Sequence, residues 1–178
     1  VGNLRGGSDA ATQPKLDIIG FPYSTSETFL KKNINADGQQ AEAIIDGLQQ
    51  ICAGNGKELR VFLSLAFGNP YSDAWDINIL SKHVEKLALK GITTITLADT
   101  IGIATAPLIG EVYESLLKQF PGMEFGLHLH TRPGEWYAKL SAAWNAGCRW
   151  FEGVISGVGG CPMTGYDLVG NLDTLSLI

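Results

Sequence analysis

The chain alternates between short runs rich in β-branched and aromatic residues and longer stretches whose apolar residues recur at helical spacing. The short runs predict strands, and the longer stretches predict helices. Strands that alternate with helices in this way form βαβ units and therefore a parallel sheet. The predicted strands are 16–21, 59–65, 93–97, 124–130 and 149–155, and the predicted helices are 39–55, 76–90, 107–120 and 135–146. We expect residues 24–35 to form a loop.

Polar residues follow the predicted strands, and their positions distinguish between the two common parallel architectures. A doubly wound sheet usually carries a glycine-rich phosphate-binding turn after its first strand, and Gly20-Phe21-Pro22-Tyr23 is not such a turn. A barrel places functional polar residues at the C-terminal ends of its strands. In this chain those ends carry Ser24, Ser64, Asp99, His130 and Ser156. We therefore predict an α/β fold of the parallel (β/α)8 TIM-barrel type.

The number of strands is too small for a closed barrel. Eight strands close a barrel of this type, whereas the sequence shows five clear strands and a strand remnant at residues 1–4. We predict one partial barrel domain over residues 1–178, lacking roughly the first two strands. Since Val1 is not a methionine, we expect that the chain begins inside a longer protein or has been processed.

Composition excludes several classes of partner. The chain has 178 residues, of which 45% are hydrophobic and 17% charged, and its formal net charge is -5. A mildly acidic chain without a Lys/Arg cluster lacks the basic face that nucleic acids require, so we expect no nucleic-acid partner. No apolar run approaches the roughly 20 residues of a membrane helix, so we expect no membrane partner. The three cysteines, Cys52, Cys148 and Cys161, form no Cys-x-x-Cys pair, which indicates a reducing compartment such as the cytoplasm.

His128-Leu129-His130 is the sharpest local signal in the sequence. Because strand side chains alternate, both imidazoles project from one face. They lie at the end of their strand, where barrel active sites are built. Imidazole is a common ligand of divalent metals. The motif alone supports about equally well two structural histidines on a solvated strand face.

Two further segments carry groups that a metal-dependent reaction could use. The glycine-rich run 157–162 permits close approach of the backbone to a ligand. It could direct Cys161 across the open end of the predicted barrel, its mouth, where the strands end. A plain turn with a passive cysteine is the alternative. Asn171 could offer its carbonyl oxygen to a hard cation, or it could simply close a turn.

The remaining polar candidates have strong structural alternatives. Asp99 and Thr100 follow a strand, and capping of the next segment is the more common role of each residue type taken singly. Lys31 and Lys32 could contact phosphates of a ligand, or they could be solvated surface residues.

Together these segments resemble the 3-hydroxy-3-methylglutaryl-CoA (HMG-CoA) lyase family, within a wider superfamily of metal-dependent lyase and synthase barrels. The resemblance covers essentially the whole chain. His-x-His, Asp-Thr-x-Gly and Gly-Asn are shared with the synthases, whereas the Gly-Gly-Cys-Pro loop is specific to the lyases. The resembling segments are 3–6, 29–35, 67–71, 97–102, 128–130, 157–162 and 170–171.

The resemblance implies a function and a set of roles. It implies cleavage of HMG-CoA to acetyl-CoA and acetoacetate, a step of leucine degradation, by a homodimer that binds an acyl-CoA and one Mg²⁺ or Mn²⁺ ion. The implied metal ligands are His128, His130 and Asn171, the implied catalytic residues are Cys161 (as the general acid), His128 and Asp99, and the implied substrate contacts are Lys32, Asn33 and Thr100.

The chain departs from the family pattern at three places. The family's first strand carries an Arg-Asp pair, whose Asp is a fourth ligand, and this pair has no counterpart in the sequence. Asn69 stands where many relatives have cysteine, and Thr131-Arg132-Pro133-Gly134 replaces the usual acidic or amide residue followed by Thr-x-Gly.

Two other functions fit the same features. A related acyl-CoA condensing enzyme or aldolase would share the histidines and the barrel, but would not rely on a thiol at the position of Cys161. An inactive fragment that acts only as a binding module would differ from both enzymes in a metal-binding assay.

Overall fold

The computed structural model describes residues 1–164 and 168–178. Strands and helices alternate along the chain, and the long helices begin at side-chain caps such as Asp37, Asp76 and Thr105. The strands are β1 (Ile18–Ser24), β2 (Glu58–Ser64), β3 (Thr94–Asp99), β4 (Glu124–Leu129) and β5 (Phe151–Glu152). The helices are α1 (Leu4–Ala11), α2 (Glu27–Ile34), α3 (Gly38–Gly54), α4 (Ile77–Leu89), α5 (Ala106–Gln119) and α6 (Trp136–Asn145). Short 3-10 turns follow at Ile155–Gly157, Pro162–Thr164 and Thr174–Ser176.

The five strands form one sheet in the order β1-β2-β3-β4-β5, and every neighbouring pair is parallel. A doubly wound sheet would reverse its strand order at a switch point, whereas a barrel keeps sequence order. Arg60 on β2 stacks on the ring of Trp150, next to β5, with its guanidinium carbon 4.6 Å from the ring centroid. In a flat sheet these strands would lie roughly 14 Å apart, so the sheet curves toward this face. The fold is an incomplete TIM barrel, as predicted.

The two faces of the curved sheet differ in composition. The convex face packs against the helices and forms the apolar core, which includes Phe21, Leu63, Leu97 and Leu127 at 0–1% exposure. The concave face, which would be the interior of a closed barrel, carries the alternate side chains, among them Arg60, Phe62, Thr96, His128 and Glu152.

Two predictions about the N-terminal third are wrong. Residues 1–4 are not a strand remnant, because Asn3 accepts a hydrogen bond from Gly6 N and begins α1. The backbone nitrogen of Val1 contacts the sheet, since it donates to Gly20 O at 2.7 Å. Residues 24–35 are not a loop, because most of them form α2, which Ser26 caps and Asn35 ends in a left-handed conformation.

The last strand is also shorter than predicted. Of residues 149–155, only Phe151–Glu152 pair with β4. Beyond them Val154 forms a bridge with Asp173 instead, so the chain leaves the sheet to meet its own C-terminal segment. No helix in the described part of the chain combines the length and apolarity that a membrane crossing requires.

Candidate active site

The two histidines of the His-x-His motif lie together at the C-terminal end of β4. His128 is in the strand, and His130 follows it directly. Their ring centroids are 5.3 Å apart. Phe62 on β2 meets the His128 ring edge-on at a centroid distance of 5.9 Å. Both imidazoles therefore belong to one cluster on the concave side of the sheet.

His130 has a defined tautomer, and its burial favours the neutral imidazole. It is 7% exposed, and its Nδ1 lies 3.0 Å from Val169 O. A carbonyl oxygen only accepts, so Nδ1 carries the proton and Nε2 keeps its lone pair. Burial lowers the pKa of His130, the bond to Val169 acts in the opposite direction, and neighbouring His128 lowers it further. The net effect favours the form that can bind a metal.

Asn171 is placed beside His130 by the backbone. The two residues form an antiparallel bridge. Thr131 N donates to Gly170 O and Leu172 N donates to Leu129 O, each at 2.9 Å. This pattern makes His130 and Asn171 a non-hydrogen-bonded pair, whose Cβ atoms lie roughly 4.5–5.5 Å apart on the same side. Asn171 Nδ2 donates to Val158 O at 2.8 Å, which leaves the carbonyl oxygen Oδ1 for a cation.

The glycine-rich loop wraps closely around Asn171. Gly157 and Gly159 have φ values of +60° and +108°, which favour glycine. A Cβ atom at Gly159 would lie 2.7 Å from Asn171 Nδ2, and one at Gly157 would lie 2.8 Å from Asn171 O. The glycines are therefore needed for Asn171 to hold its position. The same loop presents Cys161, which is half-buried.

These residues fit a divalent cation. Two imidazoles and an amide oxygen suit Mg²⁺ or Mn²⁺ when carboxylate or water completes the shell, although imidazoles alone would also suit Zn²⁺. His128 Nδ1 is buried and makes no hydrogen bond, although the Glu152 carboxylate lies 3.3 Å from it. Within the described residues, no three His, Cys, Asp or Glu side chains cluster as a metal site, so the arrangement depends on the amide of Asn171.

Asp99 faces the other side of the sheet. It is 1% exposed and lies 3.7 Å from Lys139 Nζ on α6. Its oxygens accept hydrogen bonds from the backbone N–H groups of Ile103 at 3.0 Å and Ala104 at 3.1 Å. Burial raises the pKa of Asp99 to about 6, against the opposing effects of Lys139 and the backbone N–H groups. Its observed contacts thus organise the loop after β3, and contact with substrate stays a prediction.

Thr100 joins the ends of two neighbouring strands. Its hydroxyl accepts a hydrogen bond from Leu65 N at 2.8 Å. Leu65 is fully buried and has a φ of +58°, a conformation that costs a leucine energy. Thr100 therefore helps to hold the strained end of β2, and its predicted contact with substrate also remains a prediction.

Lys32 lies close to the loop that carries Cys161. Its Nζ is 4.4 Å from the centre of the Tyr71 ring. The Tyr71 hydroxyl donates to Met163 O at 2.7 Å, two residues after Cys161. Burial raises the pKa of Tyr71, so the hydroxyl remains a donor at neutral pH. Asn33 is half-buried on the same helix, α2.

The structure shows functional candidates that the sequence analysis missed. Glu152 lies beside His128, with its Oε2 3.3 Å from His128 Nδ1. The local signal was a lone carboxylate in the predicted strand 149–155, which does not indicate what that carboxylate contacts. Tyr71 and Lys139 gave no comparable signal, because their roles depend on contacts distant in sequence.

Comparison with known proteins confirms the resemblance. Residues 5–177 match the model of the family described as HMGL-like. The hydroxymethylglutaryl-CoA lyase YngG of Bacillus subtilis is 34% identical over 139 residues, which are 78% of this chain and 46% of that protein. The mitochondrial hydroxymethylglutaryl-CoA lyase of Rattus norvegicus is 27% identical over 176 residues, which are 99% of this chain and 54% of that protein. The chain thus spans about half the length of these curated relatives.

Solved structures agree with the sequence relatives. An HMG-CoA lyase from Acinetobacter baumannii, in complex with coenzyme A and 3-methylmalate, has a TM-score of 0.87 at 25% identity and aligns with 99% of this chain and 57% of its own. The Bacillus subtilis HMG-CoA lyase has a TM-score of 0.87 at 31% identity and aligns with 98% of this chain and 58% of its own. Since the family model matches almost the whole chain and the fold is that of these lyases, the chain belongs to the HMGL-like family.

Proposed function

We propose that the protein cleaves HMG-CoA to acetyl-CoA and acetoacetate at this site, with Mg²⁺ or Mn²⁺ as cofactor. The observation that carries the proposal is the convergence of His128, His130 and Asn171 at one edge of the sheet, beside the loop of Cys161. The lyase names of the relatives support the reaction class. Coenzyme A in the Acinetobacter baumannii structure supports an acyl-CoA substrate.

The reaction breaks the bond between the carbon that bears the tertiary alcohol and the α-carbon of the thioester. A bound divalent ion would lower the pKa of the alcohol and hold it beside a carbonyl oxygen. A base removes the hydroxyl proton, and the oxygen becomes the ketone of acetoacetate. The electron pair of the broken bond remains on the α-carbon as a thioester enolate. One proton delivered to that carbon completes acetyl-CoA, so the reaction needs no further reactant.

The residues of the chain divide this work. His128, His130 and Asn171 would hold the ion, and Cys161 would deliver the proton to the enolate. Lys32 lies over the ring of Tyr71, near the loop of Cys161, and would contact an anionic part of the acyl-CoA. Asn33 and Thr100 would contact the substrate, and Asp99 would take part in catalysis. Thr100 and Asp99 lie where β2 and β3 end.

We further propose a homodimer in the cytoplasm. Cys52 and Cys148 are buried free thiols, which fits a reducing compartment. Relatives carry both cytoplasmic and mitochondrial names, so the compartment is not a property of the family as a whole.

An assay of purified protein with HMG-CoA tests the function. We expect acetyl-CoA and acetoacetate in equal amounts, formed only with Mg²⁺ or Mn²⁺ and abolished by EDTA. Condensation of acetyl-CoA with a 2-oxo acid, without cleavage of HMG-CoA, would identify a condensing enzyme instead. Binding of acyl-CoA without turnover would identify a binding module, and either result would refute the proposed lyase activity.

A further inference from the structure

The carboxylate of Glu152 lies directly beside the first histidine of the proposed metal site. His128 and Glu152 are paired positions in the parallel ladder between β4 and β5, so their side chains leave the sheet side by side. Glu152 Oε2 is 3.3 Å from His128 Nδ1. The register of the two strands therefore places this carboxylate beside the imidazole of His128.

The surroundings of His128 restrict how its ring can turn. Phe62 and His130 lie next to the ring at centroid distances of 5.9 Å and 5.3 Å. Nδ1 is buried and makes no hydrogen bond of good geometry. The 3.3 Å separation from Glu152 is nevertheless within ion-pair range, so a small rotation about the side-chain bonds would align the N–H group with the carboxylate.

Glu152 has a second polar neighbour. Its Oε1 lies 3.5 Å from the hydroxyl of Thr96, which is fully buried in β3. The side chains of Glu152 and His128 are only 24% and 21% exposed. Electrostatic and hydrogen-bond interactions are stronger in such partly dry surroundings than on an open surface.

We propose that Glu152 is a positioning residue that accepts the Nδ1 proton of His128 in a hydrogen bond and so leaves Nε2 as the nitrogen for a divalent cation. The physical basis is general, because a metal-binding histidine commonly donates its other ring N–H to a carboxylate that fixes both tautomer and orientation. His130 uses the carbonyl of Val169 for the same purpose. The inference rests on the proposed function for the presence of the metal.

Binding of Mn²⁺, followed by the electron paramagnetic resonance signal of the free ion, tests this role. Glu152→Leu removes the acceptor but keeps much of the volume, and we expect its Kd to rise about 10–100-fold. Glu152→Gln keeps an acceptor without charge and should fall between wild type and Glu152→Leu. Glu58→Gln is the matched control, because Glu58 pairs with Arg60 at 2.9 Å and does not contact the imidazole, and its Kd should not change.

A spectroscopic measurement separates positioning from general support of the fold. In metal-free protein with ¹⁵N-labelled histidine at about pH 8.5, above the titration range of a free imidazole, His128 should carry its proton on Nδ1. The Nδ1–H population should fall in Glu152→Leu and stay unchanged in Glu58→Gln. Unchanged tautomer populations in both Glu152 variants would overturn the proposal, as would a Kd for Mn²⁺ within about twofold of wild type. If wild type binds no Mn²⁺, the metal-dependent function fails, whereas the tautomer measurement still decides the role of Glu152.

Discussion

The two faces of the same sheet are built for different purposes. The face toward the helices carries Val61, Leu63, Ile95 and Leu97, all at 0% exposure. The concave face instead carries polar and ionisable groups. Because side chains alternate along a strand, each strand contributes to both faces at once. A chain of this kind can therefore change its chemistry on one face while the other continues to stabilise the fold.

The concave face carries buried polar atoms whose hydrogen-bonding capacity is unmet. Arg60 Nε and His128 Nδ1 are both buried without hydrogen-bond partners. Buried groups of this kind typically cost about 1–3 kcal/mol each. Arg60 recovers part of this through Glu58 at 2.9 Å and the Trp150 ring at 4.6 Å. Such unsatisfied groups tend to occur where function constrains the structure.

The largest expected effect is on kcat, from a substitution that removes the proposed general acid and keeps the fold. Cys161→Ser keeps the shape of the side chain but makes it a far weaker acid. We expect kcat for HMG-CoA cleavage to fall by about 10²–10⁴-fold, the usual range for a general acid. Affinity for Mn²⁺ and the free energy of unfolding should stay the same, since Cys161 is not a proposed ligand. Cys52→Ala is the control at a thiol away from the mouth, and near-normal turnover of Cys161→Ser would contradict the assignment.

A substitution on the helix-facing side should lower the stability of the fold without altering the proposed active site. Leu97→Ala deletes a fully buried side chain on the helix-facing side of β3. We expect the free energy of unfolding to fall by about 2–5 kcal/mol, as for other core truncations. Leu89→Ala should change it by less than about 0.5 kcal/mol, because Leu89 is 83% exposed on α4. If Leu97→Ala weakened Mn²⁺ binding in the protein that remains folded, the two faces would not be independent.

Asp99 is the ionisable exception on the helix-facing side, and it predicts a pH effect. Its pKa in the folded protein is raised from 3.8 to about 6, with burial as the main cause. The stability that the protonated carboxyl contributes is fully present below its unfolded pKa and is lost as pH rises through about 6. Relative to Asp99→Asn, wild type should lose at most about 3 kcal/mol of unfolding free energy between pH 4 and pH 7. A difference between the two proteins that does not vary with pH, measured by urea unfolding, would contradict this.

The regular elements could be predicted from sequence because their apolar spacing reflects burial on one face. Residues 76–90, for example, closely bracket the observed helix Ile77–Leu89. The spacing did not reveal α2, because this helix is only eight residues long and its exposed positions are charged. Its stability comes from tertiary contacts, since Asp73 accepts hydrogen bonds from Ser26 and Thr28. Such contacts join residues more than 40 positions apart, which no local pattern records.

The candidate site likewise combines features that a local sequence pattern predicts with features that depend on contacts between distant residues. The two histidines lie two residues apart at the end of one strand, so their period of two places them on one face without any knowledge of the fold. Residue type alone left Asn171 open between a ligand and a turn residue, because its bridge to His130 depends on how the chain returns after β5. Glu152 was missed because its neighbour His128 is fixed by the register of two strands, and register is not encoded in either strand alone.

Direct measurement of metal binding tests the central claim that the concave face holds a divalent ion through the β4 histidines. Isothermal titration of Mn²⁺ into wild type should show one site, and His128→Ala and His130→Ala should each abolish or greatly weaken it. His83→Gln is the matched control, because this histidine lies on α4 and contacts Tyr23 at 2.9 Å. Its affinity for Mn²⁺ should equal that of wild type. Unchanged affinity in both β4 variants would show that the ion, if bound, is held elsewhere.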